Sequence, residues 1–431
     1  MKLLHTGDLH LGKTLHDASL AEDQAAMLDL LARELGADDY SALVIAGDVY
    51  DRAVPPAEAV ALFSGFLARV RKERPDVDIF IVPGNHDSAQ RLSFADAILG
   101  EQRIHIVGDP ERSFTPIILS KGDDRLAFFL LPFLSAGTLA PPDDAAARPS
   151  VRALARTDAR SAGQAGAQSG AVAPEFDFDR EPDGPEPSIR ILATQADLAS
   201  EAARRLDAVL SSPDLAGVPS VLVAHLFAAG GAESSSERIF VGSAERVPPA
   251  LFARFSYVAL GHLHRPQRVT DRVWYSGSPL AYAFDEAADR KRFLKVDIDC
   301  RSKGFPVSVT DVPVTPFRAV TRLSGSFADF HSGSAHDARA ADWLEITLTD
   351  SSLVANPIGL LRAKFPYLLS VRQGALGASS ASDPTVAGEA NGQTRDPVSD
   401  FCRFEEMLYG SVDPAKRELF ASLLKECADE A

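Results

Sequence analysis

Five short clusters in the first 264 residues carry side chains able to hold divalent cations: Asp8 with His10, Gly47 with Asp48, Gly84-Asn85-His86-Asp87, His225, and Gly261-His262-Leu263-His264. Carboxylate, imidazole and amide oxygen, with no thiolate among them, suit a borderline cation such as Mn2+, Fe2+ or Zn2+ better than Ca2+. Taken singly the clusters say little. Asp-x-His is ordinarily a turn beside a solvated histidine, Gly-Asp after a strand a turn or helix cap, and a lone buried His a hydrogen-bonded core residue. Together they say more, because five of the ten histidines fall in these clusters and each cluster follows an apolar run. The combination points to a two-metal site. His5, His16, His105, His331 and His336 lack such a setting and read as structural.

Ligands this far apart in sequence meet only if the chain returns them to one edge. Leu3 and Leu4 predict a strand before Asp8, Ala42 to Ala46 one before Gly47, Ile79 to Val82 one before Gly84, Val218 to Ala224 one before His225, and Phe255 to Leu260 one before Gly261. Helical patterns separate the first three, one from Ser19 with Leu20, Met27, Leu28, Leu31 and Leu35, and one over Pro55 to Val70 with Pro near its start. Further strands are expected at Ile104 to Val107, Pro116 to Ser120, Leu126 to Leu131 and Val273 to Ser276. Alternating strands and helices imply a parallel, helix-covered sheet whose C-terminal edges converge on one crevice. Their spacing predicts an α/β sandwich of two sheets. In Asp8-Leu9-His10 and His262-Leu263-His264 a strand-like alternation would put both ligands on one face and Leu on the other.

The remaining sequence sets bounds. With 44 Lys and Arg against 60 Asp and Glu in 431 residues, the net charge of −16 argues against nonspecific polyanion binding through a basic surface. Residues 141–188 hold 26 Ala, Pro, Gly or Ser and five Val, Leu or Phe, too little apolar surface to offset ordering entropy, so a disordered insertion is expected there. Residues 374–398 form a second, shorter one. These breaks divide the chain into an α/β domain over 1–285, a smaller α+β capping domain over 286–373, and C-terminal helices over 399–431. The capping domain is expected to contain strands at Val307 to Val312, Phe317 to Leu323, Trp343 to Thr349 and Leu368 to Arg372, with a helix over Pro357 to Lys364. The C-terminal helices carry Phe401, Phe404, Met407 and Leu408 on the first, then Asp413 as start of a second with Leu419, Phe420, Leu423, Leu424 and Cys427. No apolar run reaches the roughly 18–20 residues of a membrane span. Asp8 interrupts any signal-peptide core, and Cys300, Cys402 and Cys427 fit a reducing compartment, so a cytoplasmic protein without membrane attachment is expected.

The order of the clusters resembles the calcineurin-like metallophosphoesterases. Within them, the opening Leu4-His5-Thr6-Gly7-Asp8-Leu9-His10-Leu11-Gly12 and the segment Tyr275 to Asp285 (Tyr-Ser-Gly-Ser-Pro-Leu-Ala-Tyr-Ala-Phe-Asp) are similar to the SbcD-type nuclease subunits, relatives of the archaeal and eukaryotic double-strand-break repair nucleases. The resemblance covers most of the chain outside the two insertions. It implies a two-sheet metallophosphoesterase sandwich in which Asp8, His10, Asp48 and His264 hold one ion and Asp48, Asn85, His225 and His262 the other. A bridging Asp48 would relieve the repulsion between two close divalent ions. His86 would donate a hydrogen bond or proton to the phosphate or leaving oxygen, and Asp87 would orient it or else cap a helix over Ser88 to Leu99.

The same resemblance implies two Mn2+ ions and DNA cleavage as a 3'-5' double-strand exonuclease and a single-strand or hairpin endonuclease in recombination, replication and repair. It implies a homodimer, formed near Pro55 to Leu99, within a heterotetramer. The other subunit would be an SbcC-type coiled-coil ATPase that uses the ATP and docks on the C-terminal helices. Asp51 stands where archaeal and eukaryotic relatives tend to carry a second histidine. Arg52, Arg265 and Arg268 are the DNA-contact candidates, with Arg69, Arg71, Lys72 and Arg74 a weaker run on a helix end. The alternative function is a small-substrate phosphomonoesterase or cyclic-nucleotide phosphodiesterase, which would need neither the smaller domain nor the C-terminal helices.

Overall fold

The computed structural model describes residues 1–139, 192, 194–232, 234, 246–373, 398, 401–402 and 413–429. The insertion expected over 141–188, and the one over 374–398 up to its last residue, lie outside the described residues. Met1–Arg372 forms one body. Its first sheet runs, in order, β14 (Val307–Pro313), β13 (Arg292–Ile298), β1 (Lys2–Thr6), β4 (Tyr40–Ala46), β5 (Asp78–Val82) and β6 (Ile104–Ile106); a short hairpin of β2 (Thr14–Leu15) and β3 (Ala18–Ser19) stands apart. The second sheet runs β11 (Gln267–Arg268), β12 (Val273–Tyr275), β10 (Tyr257–Gly261), β9 (Ser220–His225), β8 (Asp124–Leu131) and β7 (Ile117–Lys121). Strands β1, β4, β5 and β6 are mutually parallel, as are β8, β9, β10 and β12.

Strand β4 shows why the ligand-bearing strands read as continuous apolar runs. Tyr40, Leu43 and Ile45 face α1 (Ala21–Ala37) and α2 (Ala57–Glu73), while Ala42, Val44 and Ala46 face the second sheet. Both sides are buried, as parallel strands require. The α1 stripe Met27, Leu28, Leu31 and Leu35 closes the outer layer, and between the sheets the rings of Phe80 and Phe128 stack with centroids 3.9 Å apart. Helix α5 (Gln195–Leu210), which the sequence pattern did not single out, covers the second sheet with Leu198, Ala202 and Leu206. The single helix expected over Ser88 to Leu99 is instead two short ones, α3 (Ala89–Leu92) and α4 (Asp96–Glu101).

A boundary at 285/286 cuts through a sheet. Strands β13 and β14 add antiparallel to β1, so the first sheet continues to Pro313, and Val307–Pro313 pairs with Arg292–Ile298 rather than with the strand after it. The smaller α+β part starts at β15 (Val320–Gly325), parallel to β16 (Trp343–Leu348), with β17 (Leu368–Gln373) beyond. Helices α6 (Phe327–His331) and α7 (Pro357–Leu361) complete it around Phe330, Leu344, Leu361, Phe365 and Leu368. The second body, Gln373–Ala431, contains α8 (Pro414–Asp429). The Asp413 carboxylate accepts from the Ala415 N–H at 3.0 Å, and the Phe401 and Phe420 rings stack at 4.5 Å. Phe404, Met407 and Leu408, and the side chains of Leu423, Leu424 and Cys427, lie outside the described residues. Among the described residues no helix is long and apolar enough to cross a membrane.

His5 is a core histidine. It is fully buried, its Nδ1 2.9 Å from the Tyr257 hydroxyl across the sandwich, and burial pushes its imidazole down from 6.5 to about 3. The folded protein therefore excludes a proton that the unfolded chain takes up as pH falls below 6.5, and this contribution to stability is complete above 6.5 and lost towards 3. His5→Gln is expected to flatten that acid limb: the stability gap between wild type and variant at pH 7 shifts by about 2 kcal/mol at pH 5. Urea midpoints at the two pH values measure it, and a gap that stays constant rejects the buried neutral imidazole.

Candidate metal centre

The loops after β1, β4 and β5 from one sheet and those after β9 and β10 from the other meet at one edge of the sandwich. The first two are zipped together by backbone, with Asp8 N–H donating to Gly47 O at 3.0 Å and His10 N–H to Asp48 O at 2.9 Å. Leu9 and Leu263 point inward, fully buried, but the pairs around them are not set by strand alternation. Asp8, His10, Asp48 and His262 have φ of 52°, 44°, 47° and 108°. Left-handed backbone at non-glycine residues costs on the order of 1–3 kcal/mol each and persists where the surroundings enforce it, characteristically at functional sites. The glycines have a different reason. A Cβ on Gly84 would lie 2.1 Å from Asp48 Oδ1, and one on Gly47 2.1 Å from His225 Nδ1.

Three sets of side chains come within ligating range of a common point: Asp8, His10 and His264; Asp8, Asp48 and His225; and His10, Asp48 and His86. His10 Nε2 and His264 Nε2 are 3.0 Å apart, and Asn85 Oδ1 lies 3.0 Å from both His225 Nε2 and His262 Nδ1. Asp48 Oδ2 is 3.4 Å from His225 Nε2 and 3.6 Å from His10 Nε2. All seven expected ligands are thus brought together. Because His225 Nδ1 donates to Ala46 O at 2.9 Å, its Nε2 turns toward Asp48 and Asn85, and either a proton or a cation has to sit among these acceptors. Asp8 Oδ2 and His262 Nε2 are buried with no hydrogen-bond partner. Orphaned donors of this hard-to-borderline set fit divalent ions.

The electrostatics follow from burial and from Asp48. Burial pushes the Asp8 carboxyl up to about 7, against the pull of His225 and His264. Burial acts on Asp48 in the same sense, but the facing His225 and then His10 outweigh it and hold that carboxyl well below the ordinary range. Reciprocally, burial would lower His225, yet Asp48 raises it to about 9. Burial holds His10 at about 4 and His262 at about 3, so both present lone pairs at neutral pH.

His86 donates its backbone N–H to Asp48 Oδ1 at 2.9 Å, and its Nδ1 lies 2.9 Å from the Asp51 carbonyl. Asp87 does not cap the following helix, a task Ser88 performs. Its carboxylate accepts from the N–H groups of Val49, Tyr50 and Gly84 at 2.9–3.0 Å and so ties the Asp48 loop to the Asn85 loop. Burial, with Asp48 nearby, lifts that carboxyl to about 6.

Of the arginines, Arg265 pairs with Asp289 at 3.1 Å, and Arg268 pairs with Asp271 and lies over the Trp274 ring. Arg52, with its side chain 75% exposed and Nε 3.8 Å from Asp51, stands beside the centre. Arg71 and Arg74 donate to backbone carbonyls, among them Gln102 O and Tyr40 O, and belong to the scaffold. Four residues to which sequence reasoning gave no role at the centre also frame the site. Gln24, a buried polar residue in the α1 stripe, bonds His10 O at 2.7 Å and Gly12 N–H at 3.0 Å. Tyr282 donates to Leu9 O and sets its ring against His10 and His264. Glu286 and Lys291 lie behind His264. Gln24 left a signal, a polar break in an apolar helix face, and Tyr282 stands in the Tyr275 to Asp285 segment, whereas nothing local marked Glu286 or Lys291 as partners of His264.

Residues 1–131 match the family described as calcineurin-like phosphoesterase. Among solved structures, the crystal structure of TT1561 of Thermus thermophilus aligns over 72% of this chain and 98% of that one, at 12% identity and a TM-score of 0.35. The chain carries a calcineurin-like phosphoesterase domain at its N-terminus, with groups suited to metal binding, and this makes it a metal-dependent hydrolase.

Proposed function

We propose, from that phosphoesterase domain as premise, that the chain is the nuclease subunit of an SbcCD-type complex: a Mn2+-dependent hydrolase of DNA phosphodiesters, exonuclease on duplex ends and endonuclease on hairpins and single strands. The observation that carries the reading is the course of the segment after Tyr275. It leaves the second sheet, places Tyr282 against His10 and His264, brings Glu286 behind His264 and enters β13 beside β1. The stretch that is similar to nuclease subunits is therefore built into the centre.

Asp8, His10, Asp48 and His264 would hold one ion and Asp48, Asn85, His225 and His262 the other. Two such ions supply Lewis acidity toward phosphate oxygens and an activated water. The chain's own residues do the rest. Asp48 holds the two halves of the site in register through His86 N–H and the imidazoles of His10 and His225. The Asp51 carbonyl accepts from His86 Nδ1, which leaves Nε2 as the ring nitrogen that, when it carries a proton, would donate to the phosphate or leaving oxygen. Arg52, exposed beside Asp51, would meet a neighbouring DNA phosphate. The net charge of −16 leaves further phosphate contacts to a coiled-coil ATPase partner that also consumes the ATP.

Purified chain with that partner, Mn2+ and ATP is expected to degrade hairpin and linear DNA, and His86→Ala to lower the rate by about 10²- to 10⁴-fold. Assayed side by side with a nucleotide monoester, preference for the small substrate would sink the nuclease reading in favour of a phosphomonoesterase.

A further inference from the structure

His10 and His264, whose Nε2 atoms lie 3.0 Å apart, each have a carboxylate paired with a lysine on the far side of the ring. Behind His264, Nδ1 lies 3.1 Å from Glu286 Oε1, and Glu286 Oε2 takes Lys291 Nζ at 2.7 Å. Lys291 Nζ also donates to His264 O and to Ser278 Oγ, each at 2.9 Å, so one lysine grips both the backbone of the histidine and the carboxylate behind its ring. Behind His10, Nδ1 lies 3.4 Å from Asp51 Oδ1 without a hydrogen bond between them, and the same oxygen takes Lys13 Nζ at 2.7 Å. Side-chain exposures are 0% and 7% for Glu286 and Lys291, and 14% and 18% for Asp51 and Lys13. His225 donates Nδ1 to the Ala46 carbonyl, with Asp8 Oδ1 at 4.0 Å, and His262 turns Nδ1 toward Asn85 Oδ1, itself a ligand of the second ion on that reading, so neither has a carboxylate–lysine pair behind it among the described residues.

We propose that Glu286–Lys291 and Asp51–Lys13 are two matched brackets that set His10 and His264 as ligands of one and the same ion. The proposal rests on the two-metal reading above and goes beyond it by assigning positioning roles to four residues and by making the two ion positions unequal. A carboxylate behind an imidazole fixes its tautomer and ring direction and strengthens its lone pair; loss of such support typically costs roughly 10- to 100-fold in metal affinity. The lysine lets the carboxylate stay charged away from water. One position thus has a carboxylate–lysine pair behind two of its ligands, and the other has none among the described residues.

The test is Mn2+ titration of the full chain by equilibrium dialysis, with Tm recorded for each variant. Glu286→Gln and Asp51→Asn are each expected to weaken one of two binding steps by roughly 10- to 100-fold and leave the other unchanged, and the combined variant to act on that same step again. Because Glu286→Gln strands a buried lysine cation, Glu286→Gln with Lys291→Met restores neutrality and must show the same single-step loss. Unchanged affinities, or both steps weakened alike with a fallen Tm, would overturn the brackets. Wild type that takes up no Mn2+ overturns the two-metal reading itself, and the brackets with it.

Discussion

Asp48→Asn is expected to lower phosphodiester hydrolysis by on the order of 10³-fold or more and to strip bound metal from both positions. Asp48 faces His10 and His225 with one carboxylate oxygen and the His86 backbone N–H with the other. Asn keeps the shape and can still accept from His86, so the loop stays folded. It removes the charge that opposes burial at His225 and that two cations would share. Metal content by mass spectrometry, beside hydrolysis of a simple phosphodiester and of hairpin DNA, reads both effects. A variant that keeps both ions and more than about a tenth of the rate would remove Asp48 from the centre of the mechanism.

Truncation after Gln373 is expected to leave Tm and metal-dependent hydrolysis of a simple phosphodiester unchanged while abolishing co-purification with the ATPase. The cut spares β17 and removes the separate body that contains α8. Phe401 and Phe420 cover each other there, but Leu419 remains 61% exposed. An isolated helix of this length is marginal in water, and α8 would gain stability by docking on another chain. If Tm drops, the helices belong to this chain's own core; if the ATPase still co-purifies, it docks elsewhere.

The sandwich and the clustering of the seven candidate ligands were legible because each strand that carries them is buried on both faces and ends abruptly in a polar cluster, a pattern local enough to read from neighbours in sequence. His5 was legible by exclusion. The means by which Asp8 and His10 share a site was not, since left-handed backbone leaves no mark at an Asp or His as it does at a glycine. Membership of β13 and β14 in the first sheet was hidden because register with Lys2–His5 is a relation across nearly the whole body. Glu286 and Lys291 sit at no periodic spacing from His264, and the pairing of Arg265 with Asp289 is equally nonlocal. Charges declare their partners only when the chain is folded.

The position of β1 between β4 and β13 has a consequence for how the protein is made. Its first neighbour follows after a single helix, but its second arrives only with Arg292–Ile298, with Lys2 opposite Asp297. A nascent chain that has emerged through residue 131, the span that matches the phosphoesterase family, still has one flank of its first strand bare and lacks three of its seven ligands. Unpaired strand edges of this kind invite association with other chains, and pairings of such sequence separation form slowly. The candidate metal centre is thus a late product of synthesis: its last ligand, His264, follows about three fifths of the polypeptide and the second neighbour of β1 more than two thirds, and the early segments depend on remaining soluble until then.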